Sequence, residues 1–417
     1  MAADRGLARS FGPGLVWAAT AIGVSHLVQS TRAGAAYGWT LVPVVLLANL
    51  LKYPFFEFGP RYAAATGRSL LDGYAELGRW VLATFLFLCL GSAVAGVGAV
   101  SYFTGSLATL ALGPALSPFA WSALILAACT LLLLGRYPLL DAVVKVIVAG
   151  LALSTLLAVG LAFAGAAPGG VPAPAPPLVE LAGFGFLIAL VGWMPSGMEL
   201  SVFHSLWTLE RARQTGHRPA LGEALLDFNV GYFGTAFLAL AFLALGALTL
   251  HGSGEPLATA GGAFAAQLIE LYTRALGDWS RPVIVAAAFT TMLSTTVAVV
   301  DGFPRVLARS SGMLWPRLDA WLPGETGQRV WTLLVIGGAL LAISVFVGHL
   351  TRMIDFATTL SFVFAPVIGW FNHRVVTGAG MPAPARPPPW LARLSVTGLV
   401  FGVAFAGVFL VWRFALS

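Results

Sequence analysis

The side chains able to do chemistry in this chain sit where a run of leucine would be expected. Glu199 and His204 follow the sequence Gly-Trp-Met-Pro-Ser-Gly at 192–197, inside an otherwise apolar stretch from Gly183 to Leu206. His26 follows Ile-Gly-Val-Ser at 22–25, with Gln29 and Arg32 one and two turns further on. Asp355 follows Arg352 near the start of another apolar stretch. A carboxylate, an imidazole and the Met194 thioether beside interrupted backbone could coordinate a cation, and that mixed donor set suits a borderline transition ion better than magnesium. The same groups could instead pair with one another, Glu199 with His204 or Arg32, and Asp355 with Arg352. No nucleophile and base, cofactor motif or catalytic metal spacing accompanies them, so neither an enzyme nor a resident cofactor is expected.

The elements that must position these groups are two membrane helices that stop and start again. Phe184 to Trp193 reads as an apolar half-helix. Pro195 lacks a backbone donor and Gly197 adds freedom, and the helix resumes near Met198. The first apolar stretch repeats the pattern, with Leu15 to Ile22 interrupted at Gly23-Val24-Ser25-His26 before Leu27 to Tyr37. Unpaired backbone groups in hydrocarbon cost several kcal/mol each, so such breaks are tolerated where they line a cavity or meet a ligand. Half-helix C-termini offer carbonyls to cations, and N-termini offer amides to anions. Two interrupted spans five apart are the pattern of an inverted repeat. Simple kinks at Gly23 and Pro195 would leave the same trace in sequence.

Composition supports a membrane setting. Of 417 residues, 58% are hydrophobic and only 10% are charged, against roughly 25% charged in a soluble domain. The net charge of +6 is spread without a basic run, which argues for loop charges and against a nucleic-acid partner. Eleven segments are long and apolar enough to span: 13–37, 40–63, 81–106, 118–135, 139–166, 181–207, 224–249, 281–303, 329–348, 351–372 and 393–415. Pro168 to Pro177 reads as a stiff extended connection, Gly380 to Pro389 as a Pro-rich, structureless one, and the 251–280 loop carries a helical pattern from Phe264 to Leu276. The apolar segment begins directly after MAADRGLARS, with no cleavable leader pattern. Arginine in the connections is concentrated on one side, including Arg9, Arg68, Arg136, Arg211, Arg309 and Arg374, while Arg274, Arg281 and Arg352 fall on the other. That asymmetry places the N-terminus in the cytoplasm and, after eleven spans, the C-terminus outside, in a multi-pass protein of the cell (inner) membrane.

Other polar groups have quieter readings. Lys52, Glu57 and Arg61 look like structural charge toward the cytoplasmic end of the second span, and Asp141 with Lys145 like a similar pair on the fifth. Asp301, before Gly302 and Phe303 at the end of the eighth span, has a capping or gating position. The hydroxyls of Thr290, Thr291, Ser294, Thr295 and Thr296 suit close helix packing. Cys89 and Cys129 lie inside apolar segments and read as small core residues.

Several stretches resemble the Nramp family of divalent-metal transporters. Residues 12 to 67 are similar to that family's first two helices without a gap, through Ala33-Gly34-Ala35 with Tyr37-Gly38, Leu47-Ala48-Asn49 and Ala65-Thr66-Gly67. Met194-Pro195 resembles its sixth-helix motif, and LSTTVAVVDGF at 293–303 its eighth helix. The resemblance implies an all-α, LeuT-type (APC superfamily) fold with a 5+5 inverted repeat. One domain would then contain a first repeat at 11–166, a second at 178–374 and an extra helix at 390–417. The departures are as informative. The family's first-helix Asp-Pro-Gly-Asn is replaced by Gly23-Val24-Ser25-His26. Its Met-Pro-His becomes Met194-Pro195-Ser196, the acids of its third helix have no counterpart in 81–106, and its tenth-helix Gln aligns loosely with Asp355.

The expected function is secondary transport by alternating access, with a divalent metal ion as substrate and no proton coupling by the family's usual residues. The expected metal ligands are His26, Met194, Glu199 and Asp355, within a binding region that also includes Gly23, Ser25 and Ser196. Arg32, His204 and Asp301 are the expected gating or coupling residues. A carrier of a small organic solute, an amino acid or amine walled by Trp193, Phe203 and Trp207, is the alternative on the same fold. A non-transporting membrane receptor or assembly partner, with a dry, filled core between helices 1, 6 and 10, is the third reading.

Overall fold

The computed structural model describes residues 9–133, 138–165, 175 and 177–415. The side chains of Asp141 and Lys145 and most of the Pro168–Pro177 connection lie outside the described residues. The chain folds into α1 (Pro13–Ala21), a π-helical turn (Ser25–Ser30), α2 (Thr31–Tyr37), α3 (Val42–Thr66), α4 (Leu70–Leu77), α5 (Arg79–Ala111), α6 (Pro118–Leu133), α7 (Pro138–Ala164), α8 (Leu181–Gly192) and α9 (Leu200–Thr215). It continues with α10 (Leu221–Thr249), α11 (Gly261–Leu276), α12 (Arg281–Leu314), α13 (Pro316–Trp321), α14 (Glu325–Val345), α15 (Leu350–Thr377) and α16 (Pro389–Ala415). Among the described residues, seven helical segments are long and apolar enough to cross a membrane, and three shorter helices are apolar as well. The protein is a multi-pass membrane protein.

Both expected interruptions are present, and they differ in kind. The first is short. α1 ends at Ala21, Ile22 and Gly23 leave the helix, and the chain resumes at once as the π-helical turn that carries Ser25 and His26. The backbone stays bonded across the interruption, with the Leu27 amide donating to the Gly23 carbonyl at 2.9 Å. The second interruption is long, running from the end of α8 at Gly192 to the start of α9 at Leu200, because Pro195 cannot continue the ladder.

The interrupted spans are held by elements from the rest of the bundle. The N-terminus of α1 is met by Asp227 of α10, whose two carboxylate oxygens accept from the Gly12 and Gly14 amides at 2.9 and 2.6 Å. An anion suits the positive end of a helix. α2 lies flat on α10, where a Cβ on Gly34 would stand 1.9 Å from the Leu243 carbonyl oxygen and one on Gly246 would stand 2.3 Å from that of Thr31. Small residues permit this backbone approach. α8 meets α15 in the same way, since a Cβ on Gly192 would lie 2.0 Å from the Thr358 carbonyl oxygen. α5 packs along α12, and these two helices wall the space between the breaks.

The charge expected at the cytoplasmic end of α3 divides. Glu57 and Arg61 form a buried ion pair, with the guanidinium also donating to the Ala385 carbonyl at 2.8 Å. Lys52, however, is not at the end of its helix. It lies near the middle of the span, beside the second break.

Candidate functional site

The two breaks face each other across a cavity of about 40 Å³. Thr20, Val24 and Ser25 line it from the first span, and Ser196, Gly197 and Glu199 from the sixth. Gly96 and Val100 of α5 close one side, and Thr295, Val299 and Phe303 of α12 the other. Trp193 of the break also lines it. A cavity needs about 10–15 Å³ to hold one water, so this one suits an ion with a few waters. It is far below the roughly 300 Å³ at which small-molecule pockets begin.

Glu199 is the charged group of the cavity. Its side chain is 2% exposed, and its Oε2 has no hydrogen-bond partner within the protein. The carboxylate folds back over Gly197, where an added Cβ would stand 2.6 Å from Oε1. The hydroxyls around it are already oriented. Thr20 donates to the Val16 carbonyl at 2.7 Å, and Thr295 lies 3.2 Å from the carbonyls of Ala19 and Thr291. A hydroxyl that donates to backbone leaves its oxygen lone pairs to accept or coordinate. Every polar side chain lining the cavity apart from the Trp193 indole therefore offers oxygen.

The four expected metal ligands are not brought together. Among the described residues, no group of three or more His, Cys, Asp or Glu side chains is placed to hold a metal ion. His26 is fully buried and turned away from the cavity. Its Nε2 lies 3.0 Å from the Thr235 carbonyl and its Nδ1 lies 2.7 Å from the Ser25 hydroxyl. A carbonyl opposite Nε2 puts a proton there, so Nδ1 of the neutral ring accepts from Ser25. Met194 is also fully buried, in an apolar cluster with Ala33, Val45, Val191 and Leu243. Gly23 backs the cavity, close against Thr295. Ser25, Ser196 and Glu199 do line it.

Asp355 and Arg32 form a separate feature. A vestibule of about 700 Å³ opens between α2, α8, α15 and the 255–259 loop. Toward its floor Arg32 binds both oxygens of Asp355, at 2.6 and 3.1 Å, and donates to Gln29 Oε1 at 2.7 Å. Gln29 returns bonds to Asp355 at 3.0 Å and to Thr358 at 3.4 Å, and the guanidinium sits 5.0 Å over the Phe186 ring. Asp355 thus pairs with Arg32 and not with Arg352. The cluster spans α15 and the first span where they meet, and it sits above the buried Thr358 that packs on Gly192. His204 lies fully buried beside Phe228, its ring nitrogens without a protein partner. Asp301 pairs with Arg305 at 2.7 Å and accepts from Gln328 at 3.0 Å, tying α12 to α14.

Several important residues fell outside the sequence expectation. Lys52 donates to the carbonyls of Val191 and Gly192 at 2.6 and 2.8 Å, closing the C-terminal end of α8. Its position eleven residues into an apolar span was the available signal, because about 1.5 Å per residue carries it roughly halfway through a 30 Å core. Thr20 and the cavity face of Thr295 carried no distinguishing signal.

No family model matches the chain. An uncharacterized protein of Pasteurella multocida (strain Pm70) is 36% identical over 407 residues, covering 96% of this chain and 92% of its own. The chain belongs to that protein's family. Among solved structures, a point mutant of a manganese transporter from Eremococcus coleocola matches with a TM-score of 0.72, and the same transporter bound to an aromatic bis-isothiourea substituted compound matches at 0.68. Each is 14% identical, with 98% of this chain and 88% of that chain covered. The fold is therefore the expected LeuT-type one, with the first and sixth spans broken.

His26→Ala removes two buried hydrogen bonds and should destabilise the fold by about 1–3 kcal/mol, read as a lower midpoint in thermal unfolding, while leaving the concentration dependence of any transported ion unchanged. Asp355→Asn weakens the closure above Thr358. In a Thr358→Cys background it should speed labelling by a membrane-impermeant maleimide by about tenfold or more, each tenfold corresponding to about 1.4 kcal/mol of lost closure. An equal rate with and without Asp355→Asn would show that the Arg32–Asp355 pair does not close the path to Thr358.

Proposed function

We propose that the protein is a secondary transporter that carries a divalent metal ion through the cavity between the two breaks by alternating access. The observation that carries this reading is Glu199. It is a buried carboxylate with an unpartnered oxygen, facing an ion-sized cavity between two interrupted helices. A charged group in that setting is costly unless it binds something. The shared fold with a manganese transporter adds support from outside the chain.

The donor chemistry refines the substrate class. A carboxylate and hydroxyls, without nitrogen or sulfur, suit a hard cation such as Mg²⁺ or Mn²⁺. Magnesium in particular keeps several waters and is held through one or two carboxylates, which matches one acid in about 40 Å³. The preference for a borderline transition ion rested on His26 and Met194, and both side chains are engaged elsewhere. The small cavity likewise counts against the organic-solute alternative. α5 contains no acid or histidine, so proton movement through the third span is not part of this scheme. The arginine asymmetry puts the N-terminal face in the cytoplasm. The vestibule above Asp355 and Arg32 is then the outer entrance, and the inner membrane of the cell is the setting.

Uptake into proteoliposomes tests the proposal. The wild-type protein should take up Mg²⁺ or Mn²⁺ saturably, and Glu199→Gln should lower the transport efficiency by about tenfold or more, about 1.4 kcal/mol per decade. Equal divalent uptake by both forms, or uptake confined to amino acids or amines, would contradict it.

A further inference from the structure

The C-terminal end of α8 already has a cation. A helix C-terminus carries roughly half a negative charge through its unsatisfied carbonyls, and in a broken membrane helix that end commonly coordinates an ion. Here the two last carbonyls of α8, Val191 and Gly192, are taken by Nζ of Lys52 at 2.6 and 2.8 Å. Lys52 is 7% exposed. Among the described residues no ion pair joins Lys52 to Glu199, whose Oε2 has no hydrogen-bond partner. The carbonyl seat and the oxygen-lined cavity are thus neighbouring but separate positions. Lys52 reaches the seat from α3, an unbroken helix of a different span.

We propose that Lys52 is a tethered cation, occupying the seat that the broken sixth span offers to a free monovalent ion, so that the transport cycle runs without sodium. A dissociable ion can leave the seat and refill it in each cycle. An ammonium fixed to α3 cannot, so the end of α8 stays neutralised whichever way the cavity opens. Its field also offsets part of the negative charge of Glu199, which sets the cavity toward weak binding and release of a divalent ion rather than tight capture. The transport side of this inference rests on the proposed function. The occupancy of the seat does not.

The test is the cation dependence of thermal stability, with the purified full-length protein in NaCl, choline chloride or ethylammonium chloride at equal ionic strength. The wild-type midpoint should be the same in all three. Lys52→Ala should be destabilised in choline, which is too bulky for the vacated space, and should recover by several degrees in sodium or ethylammonium. Lys52→Met, which refills the stem volume without a charge, should remain low in every salt. If Lys52→Ala survives extraction only when sodium or ethylammonium is present, that supports the inference as well. A wild-type midpoint that rises with sodium, or a Lys52→Ala protein that no cation stabilises or recovers, would overturn it. In proteoliposomes the wild-type divalent flux should be indifferent to sodium, and that of Lys52→Ala should require it. Because the stability arm needs no transport, absence of divalent flux in the wild type would count against the proposed function and leave the tethered cation decided by the melting data.

Discussion

A helix that ends inside hydrocarbon leaves its last carbonyls facing a medium that cannot donate to them. In this protein the constraint falls on Val191 and Gly192, and Lys52 answers it from the second span. Much of the local architecture depends on that contact. It lets α8 stop at Gly192, which frees residues 193–199 to leave the helix and put Ser196, Gly197 and Glu199 on a cavity wall. It also fixes the end of α8 where α15 crosses closely enough to exclude any side chain at Gly192. Through Thr358, the same crossing links the break to the Gln29, Arg32 and Asp355 cluster beneath the vestibule.

The polar groups of the bundle interior consequently have distinct tasks. Lys52 neutralises a helix end. Glu199 and the hydroxyls of Thr20, Ser25, Ser196 and Thr295 face an ion-sized space. Arg32 and Asp355 neutralise each other where the first and tenth spans meet. His26 ties the first span to α10 through the Thr235 carbonyl. Among the described residues, each of these buried charges meets either a partner or a cavity, as the cost of an isolated charge in a membrane requires. The cavity that results has one acid, little volume and a neighbouring positive charge. Those features favour a hard divalent ion that keeps some of its water.

The fold was largely legible because its signals are one-dimensional. Apolar length marks a span, and Gly23 and Pro195 mark the interruptions, whatever surrounds them. The site was legible only in part because it depends on rotation about each helix. Ser25 and His26 are adjacent, so on a helix their side chains point roughly 100° apart and only one can face the cavity. Sequence gives no rule for choosing, and the serine faces it while the histidine turns to α10. Met194 failed for a related reason. Once the backbone leaves the helix at Trp193, no periodicity predicts its direction, and it enters an apolar cluster. Lys52 was misplaced by analogy with Glu57 and Arg61, although its depth in the span distinguished it. The pairing of Arg32 with Asp355 joins residues 323 positions apart, beyond the reach of local spacing.

The most direct measurement is the position of the ion itself. Crystals of the protein soaked in Mn²⁺ can be examined for anomalous scattering at a wavelength chosen for that element. The account predicts one peak within the membrane-embedded bundle, at metal–oxygen bonding distance from a Glu199 carboxylate oxygen and beside the hydroxyls of Ser25 and Ser196, with Lys52 still bonded to the end of α8. A peak bound by the Met194 sulfur or the His26 ring, or one on the Val191 and Gly192 carbonyls with Lys52 displaced, would contradict it.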